Sequence, residues 1–169
     1  TPVLDITGRL NDQGDYVLNI RQSIPPTPDM ADKQPMSMPL AVALFSPEED
    51  SFGEKIPFRL TPDGAPQTEA VLHITAAEQQ ITLYGANRPA VPSLLRGFSA
   101  PVILNYPYTD RELGILLSAD DDPFAKWEAA QTLYRRAVRA NQSALSDGLP
   151  EPSSMPSESP FFAFRRPLF

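Results

Sequence analysis

Hydrophobic and polar positions alternate along residues 16–24: Tyr16, Leu18 and Ile20 point one way, Val17, Asn19 and Arg21 the other. That two-residue period is the mark of a strand with one buried face. A second apolar run, residues 38–45, follows after a gap that can be neither helix nor ladder. Pro25, Pro26 and Pro28 lack backbone donors and fix φ, and Asp29 and Asp32 favour a turn. The pattern is strand, long Pro-rich connection, strand. In a two-layer β fold we expect such a connection to carry the chain from one sheet to the other.

The rest of the chain extends the pattern. Residues 3–10 alternate loosely and meet Asn11-Asp12-Gln13-Gly14-Asp15, so a β-hairpin is expected to open the chain. Pro39 suits an edge position or the first residues of the third strand. Residues 46–53 read as a polar turn and 55–60 as a short strand closed by Thr61-Pro62-Asp63-Gly64. Residues 68–75 and 79–84 make another pair of strands. Residues 87–92 read as an extended connector, 98–106 as a strand with Val102, Leu104 and Tyr106 on one face, and 113–117 as the last strand. Phe98, Tyr106 and Tyr108 are expected to be mostly core. Short strands bounded by Pro, Gly, Asn or Asp, with no helical pattern between them, predict an immunoglobulin-like antiparallel two-sheet sandwich over residues 1–119.

At residue 120 the period changes. From 123 to about 141, Phe124, Trp127, Ala130, Tyr134, Ala137 and Val138 recur at helical spacing, with Leu133 at the flank. Asp122 is a good N-cap, Pro123 suits the first helical position, and Asp120 and Asp121 favour the positive end of the dipole. Residues 120–142 are therefore assigned to one amphipathic helix. It must either pack on the sandwich or open a helical domain. Residues 143–169 divide into a Ser/Pro-rich linker and an aromatic end, Phe161 to Phe169.

Composition narrows the function. The 169 residues carry 41% hydrophobic content, enough for one domain with a proper core. With 14 Lys and Arg against 21 Asp and Glu, the formal net charge is -7, which disfavours nucleic acid as a partner. No apolar run reaches the ~20 residues that span a bilayer, so no membrane partner is expected. The start shows no signal-peptide pattern and no initiator methionine, and the chain is read as a piece of a longer polypeptide. The lack of cysteine removes disulfides and thiolate metal cages and fits a reducing, cytoplasmic setting.

The inventory for chemistry is short. His73 is the sole histidine, which excludes a multi-histidine zinc site within this chain and leaves a partly exposed strand residue as the better reading. A Ser-His-Asp arrangement could use only His73, and no serine lies in a nucleophile-elbow pattern. Two acidic runs, Glu48-Glu49-Asp50 and Asp120-Asp121-Asp122, are better explained as a solvated turn and a helix entry than as calcium sites. Paired carboxylates for glycoside hydrolysis have nothing positive to support them. The residues yield no catalytic, cofactor-binding or metal-binding site.

Three stretches resemble one family. They are PPTPDMADKQPMSMPLAVALF (residues 25–45), VPSLLRGFSAPVIL (91–104) and LLSADDDPFAKWEAAQTL (116–133). In order and spacing they look like the third domain, and its junction with the fourth, of bacterial aminopeptidase N, a family of gluzincin-type zinc metallopeptidases. The resemblance covers residues 1 to 141. It implies an immunoglobulin-like sandwich placed between a thermolysin-like catalytic domain and a large helical domain. It also implies a parent that removes N-terminal amino acids from peptides with a zinc-activated water. The zinc ligands of such enzymes lie in an HExxH motif and a later glutamate, and this chain has no HExxH, so no catalytic residue carries over. The leading expectation is thus a non-catalytic interdomain scaffold, without a cofactor of its own. Its partners would be the catalytic and helical domains of the same polypeptide, and exposed Phe124 and Trp127 would favour self-association. The alternative is a stand-alone β-sandwich module binding a protein or a carbohydrate.

Overall fold

A computed structural model describes residues 1–26, 28 and 34–146. The chain divides into two compact units, Thr1–Leu133 and Tyr134–Phe169. In order, the elements are β1 (Val3–Leu10), β2 (Tyr16–Ser23), β3 (Met38–Phe45), β4 (Glu69–Ile74), β5 (Glu78–Leu83), β6 (Val91–Leu94) and β7 (Ile103–Asn105). Two helices follow, α1 (Asp110–Ala119) and α2 (Pro123–Ser146). The strands form two sheets, β5-β2-β1-β7 and β4-β3-β6. This is the expected immunoglobulin-like sandwich, with one parallel pair, β1 with β7, among antiparallel ones.

Local chemistry explains the frame. The Asn11 side chain accepts from the backbone N–H groups of Gln13 and Asp15, both at 2.9 Å, and Gly14 takes φ 82°. That closes the β1–β2 hairpin, whose register runs from Val3 opposite Ser23 to Leu10 opposite Tyr16. The Pro-rich connection does change sheets, since β2 and β3 lie in different ones. Its far end is clamped by the buried Gln22 side chain, which donates to the Met36 carbonyl at 2.9 Å and accepts from the Met36 N–H at 2.5 Å. The turn expected at Asp29 and Asp32 lies outside the described residues. Leu4, Ile6, Leu18 and Ile20 from one sheet meet Leu40, Val42, Leu44, Leu72 and Ile74 from the other in the core, closed by Ile56, Phe58 and Leu83.

β3 is apolar on both faces for a reason. Leu40, Val42 and Leu44 face the sandwich core, while Ala43 and Phe45 belong to a second cluster with Val91, Leu113, Ile115, Leu116 and Ala129. The helices therefore cover the outer face of the three-stranded sheet, as in strands buried on both sides. Pro39 is the second residue of β3, where β4 is the strand's sole ladder partner. Two residues on, the Ala41 N–H points away from β4 to the Ser99 hydroxyl, so proline at position 39 forfeits no ladder bond.

Several expectations are corrected. Residues 113–117 are not a strand but the middle of α1, because Thr109 and Glu112 form a capping box, each side chain bonding the other's backbone N–H, at 3.1 and 3.0 Å. The segment 87–92 is not all connector, since Val91 opens β6, an edge strand that tolerates Pro92. Residues 55–60 make isolated bridges rather than a full strand: Lys55 with Phe45, Phe58 with Gln67, Arg59 with Tyr84. The strand expected over 98–106 shrinks to β7, because Leu95, Gly97 and Phe98 all take positive φ in a tight 3-10 turn. Phe98 is 51% exposed rather than core. α2 begins at Pro123 as expected and continues to Ser146. The linker and aromatic end assigned to 143–169 lie, from residue 147 onward, outside the described residues.

For its bulky stripe through Trp127, α2 has two seats left open by the sequence, against the sandwich or against a helical domain. Ala125 and Ala129 are its buried residues, with Ala129 and Leu133 in the cluster against the outer face of β3. Phe124 packs half-buried at the edge of the main core, and Trp127 stays 55% exposed.

Candidate functional site

The polar chemistry of the fold converges on the three-residue break between α1 and α2, Asp120 to Asp122. Asp120 ends α1, its N–H bonding the Leu116 carbonyl at 3.0 Å. Asp122 starts α2 by accepting from the Ala125 N–H at 2.8 Å. Both aspartates are then tied back to the sandwich. The Ser93 hydroxyl of β6 donates to Asp120 Oδ2 at 2.5 Å, and the Asp122 N–H donates to Asp120 Oδ1 at 2.9 Å. Arg96 Nη1 approaches Asp120 Oδ1 at 3.2 Å, while its Nη2 donates to Asp121 Oδ1 at 2.5 Å and Glu69 Oε1 at 3.2 Å. Lys55 Nζ bridges Glu69 Oε1 at 2.5 Å and Asp121 Oδ2 at 2.6 Å. The Gly97 N–H is shared between both carboxylate oxygens of Asp122, at 3.0 Å each.

The turn that carries Arg96 is built for this. Leu95 at φ 56°, Gly97 at φ 62° and Phe98 at φ 53° are left-handed, which costs energy at the non-glycine positions. The bend turns the guanidinium inward over the Phe45 ring, 5.8 Å from its centroid, and leaves it 9% exposed. It also brings Phe98 edge-on to Phe124, ring centroids 5.1 Å apart.

Protonation equilibria report the same forces. Hydrogen bonds from Lys55 and then Arg96 pull the Asp121 carboxyl down to about 2. Burial pushes the Asp120 carboxyl up, against the bonds from Ser93 and Asp122 and the charge of Arg96. Burial works against the charge on Arg96, yet its hydrogen bond to Asp121 and the charges of Asp120, Asp121 and Glu69 leave its pKa raised. Lys55 is raised by its hydrogen bonds to Asp121 and Glu69. Asp120 and Asp121 have cationic partners and Asp122 accepts backbone N–H donors, so the cluster is built as an anchor.

The other sequence-marked residues stay apart. His73 is exposed on β4 opposite Pro39. Glu49 and Asp50 lie in the exposed 3-10 turn Glu49–Ser51. Among the described residues, no three His, Asp or Glu side chains are placed to hold a metal ion. Consistently, the three consecutive aspartates point to different partners: Ser93 and Arg96, Lys55 and Arg96, and the backbone of Gly97 and Ala125. Among the described residues no helix is long and apolar enough to cross a membrane. Lys55, Glu69, Ser93 and Arg96 were not singled out by sequence. They lie 14 to 66 residues from their partners in the cluster, and no spacing signals them.

Comparison with known proteins gives matches along the whole described chain. A family model described as a domain of unknown function (DUF3458) with an immunoglobulin-like fold matches residues 1–107. Its companion (DUF3458_C), described as ARM repeats, matches residues 110–165 and so begins at α1. Aminopeptidase N of Escherichia coli is 34% identical over 157 residues, covering 92% of this chain and 17% of the relative. Aminopeptidase N of Haemophilus influenzae is 35% identical over 133 residues, covering 79% of this chain and 14% of the relative. The crystal structure of Legionella pneumophila aminopeptidase A in complex with aspartic acid aligns with a TM-score of 0.62 at 25% identity, over 88% of this chain and 15% of that one. The chain thus spans less than a fifth of the length of each.

Proposed function

The chain belongs to the immunoglobulin-like DUF3458 family and matches part of aminopeptidase N, and on that premise we propose that it is a non-catalytic interdomain module of a zinc-dependent aminopeptidase. In this reading the parent removes N-terminal amino acids from peptides, and its zinc and reacting groups belong to another part of the polypeptide. The sandwich is a rigid spacer, and α1 and α2 are the start of the helical portion that the second family match describes. The observation that carries the proposal is the Asp120–Asp122 anchor. The module's most perturbed ionisable side chains outside the tyrosines serve to fix a helix entry to a sheet edge, an arrangement that sets an angle between two domains.

The partners are accordingly the catalytic and helical parts of the same polypeptide. Phe98 and Trp127, each more than half exposed and flanking Phe124, supply apolar surface for such a contact. The test is an aminopeptidase assay of the 169-residue chain with added zinc, run beside a metal analysis. The proposal expects no turnover and no stoichiometric zinc. Zinc-dependent release of N-terminal residues by this chain would overturn it.

A further inference from the structure

We propose that Arg59 and the cavity beside it form a binding site for a carboxylate carried on a short apolar stem. The inference goes beyond the interdomain role and does not depend on it. The cavity, about 140 Å³, is lined by Pro57, Phe58, Arg59, Pro66, Tyr84 and Gly85, none of them a residue of the aspartate anchor. Its frame is rigid. Phe58 exchanges both backbone hydrogen bonds with Gln67, at 2.9 and 2.8 Å, and Arg59 exchanges both with Tyr84, at 2.8 Å each. The Gly85 N–H is held by Asp15 Oδ1 at 3.0 Å.

Gly85 gives the guanidinium its seat. A Cβ at this position would lie 3.2 Å from Arg59 Nη2 and 3.3 Å from Cζ, and the backbone sits at φ 81°, so a side chain is disfavoured on two counts. The arginine is thereby positioned by packing alone. Its Nε is buried and donates to nothing, and among the described residues its side chain makes no hydrogen bond or ion pair. The contrast with Arg21, Lys55 and Arg96, each on a carboxylate, is sharp in a chain of net charge -7. A guanidinium with a buried, unpaired donor is poorly solvated, and a carboxylate on its accessible nitrogens neutralises it.

The chemistry of the walls selects the ligand. A guanidinium fork grips a planar carboxylate through two parallel N–H donors. Arg59 is the one cation among the lining residues, which suits a single negative charge better than a phosphate dianion. Pro57, Pro66, Phe58 and Tyr84 offer apolar surface to the carbons behind the carboxylate. Two sources share this chemistry: a free small carboxylic acid, and a glutamate side chain of a peptide.

The test titrates the 15N-labelled 169-residue chain with propionate, with N-acetylglutamate methylamide, and with inorganic phosphate at matched ionic strength. The Arg59 Nε–H and Gly85 amide resonances are followed. The proposal expects saturable shifts of both in the wild type with the two carboxylates, the Gly85 shift being weakened in Arg59→Lys and lost in Arg59→Gln. If the glutamate derivative binds more tightly than propionate by roughly tenfold, the source is a peptide; equal affinity assigns the site to free acids. Linear, unsaturated shifts in the wild type overturn the proposal, and so does an equal response to phosphate. The same shifts in Arg59→Lys and wild type would overturn the fork geometry, and that comparison stands even if Arg59→Gln fails to fold.

Discussion

Replacing Arg96 by alanine is the perturbation the anchor feels most. The guanidinium is 9% exposed and lies against an Asp120 side chain that is 0% exposed, so its loss strands a buried carboxylate. Removing one partner of a buried ion pair costs about 3–5 kcal/mol. Asp120 keeps the Ser93 hydroxyl at 2.5 Å and the Asp122 N–H at 2.9 Å, which places the expected loss at the lower end, about 3 kcal/mol. The lost contacts to Asp121 and Glu69 add little, because both carboxylates are more than half exposed. For a chain of this size the melting temperature should fall by roughly 6–12 °C, read by circular dichroism at pH 7. The pH dependence sharpens the test. Asp121, held at about 2, contributes stability that is full above its unfolded pKa and lost as pH falls toward that value. Asp120 has the opposite sign: its raised pKa favours the fold at low pH, and that contribution is lost as pH rises. Without Arg96 the Asp120 pKa rises further and Asp121 loses one of its two cations. The gap between variant and wild type must then be widest at neutral pH and narrow below pH 4. A loss under about 1 kcal/mol at pH 7, or a gap unchanged between pH 7 and 3, would refute the reasoning.

Three further expectations follow from the same contacts. Thr109→Ala opens the α1 capping box and should cost about 1 kcal/mol in denaturant unfolding. Gly53→Ala should destabilise more than Gly97→Ala: both need positive φ, but a Cβ at Gly53 lies 2.8 Å from the Ala119 Cβ, whereas one at Gly97 meets nothing within 4 Å. Strain alone should cost Gly97→Ala about 1–2 kcal/mol, and parity between the two variants would count against the packing of α1 on the turn after residue 51. Ala129→Leu should cost about 1–3 kcal/mol by overpacking the cluster under α2. Trp127→Ser should change the chain's stability by less than about 0.5 kcal/mol, since over half of that side chain is in solvent. The reverse order would mean that the bulky stripe of α2 is its buried face.

Much of the sandwich was legible. The alternation in residues 16–24, the hairpin loop from Asn11 to Asp15 and the Pro-rich sheet change are written in local chemistry and appear as read. The misreadings fall where two signals compete. Leu113, Ile115 and Leu116 look like a strand by composition, but Thr109 three residues before Glu112 is a helix start that the apolar run obscured. The connector expected over residues 87–92 ends at Ala90, because Val91 and Pro92 open β6, whose edge position tolerates proline. The aspartate triplet was read as a helix entry, which holds for Asp122. The roles of Asp120 and Asp121 were hidden, because their partners Lys55, Ser93 and Arg96 come from elements distant along the chain. The sequence leaves the seat of α2 open between the sandwich and a helical domain, because its pattern shows a stripe but not what covers it; Ala125 and Ala129 are its buried residues and Trp127 stays exposed.

Amide hydrogen exchange along the first turns of α2, in wild type and Arg96→Ala, tests the central claim that the aspartate anchor fixes this helix to the sandwich. The account predicts that exchange from Phe124 to Leu133 accelerates in the variant while the paired amides of β1 and β2 keep their protection. Equal protection of the helix in both proteins would contradict it, because α2 would then be held by its alanine contacts alone and the ion pairs would be bystanders.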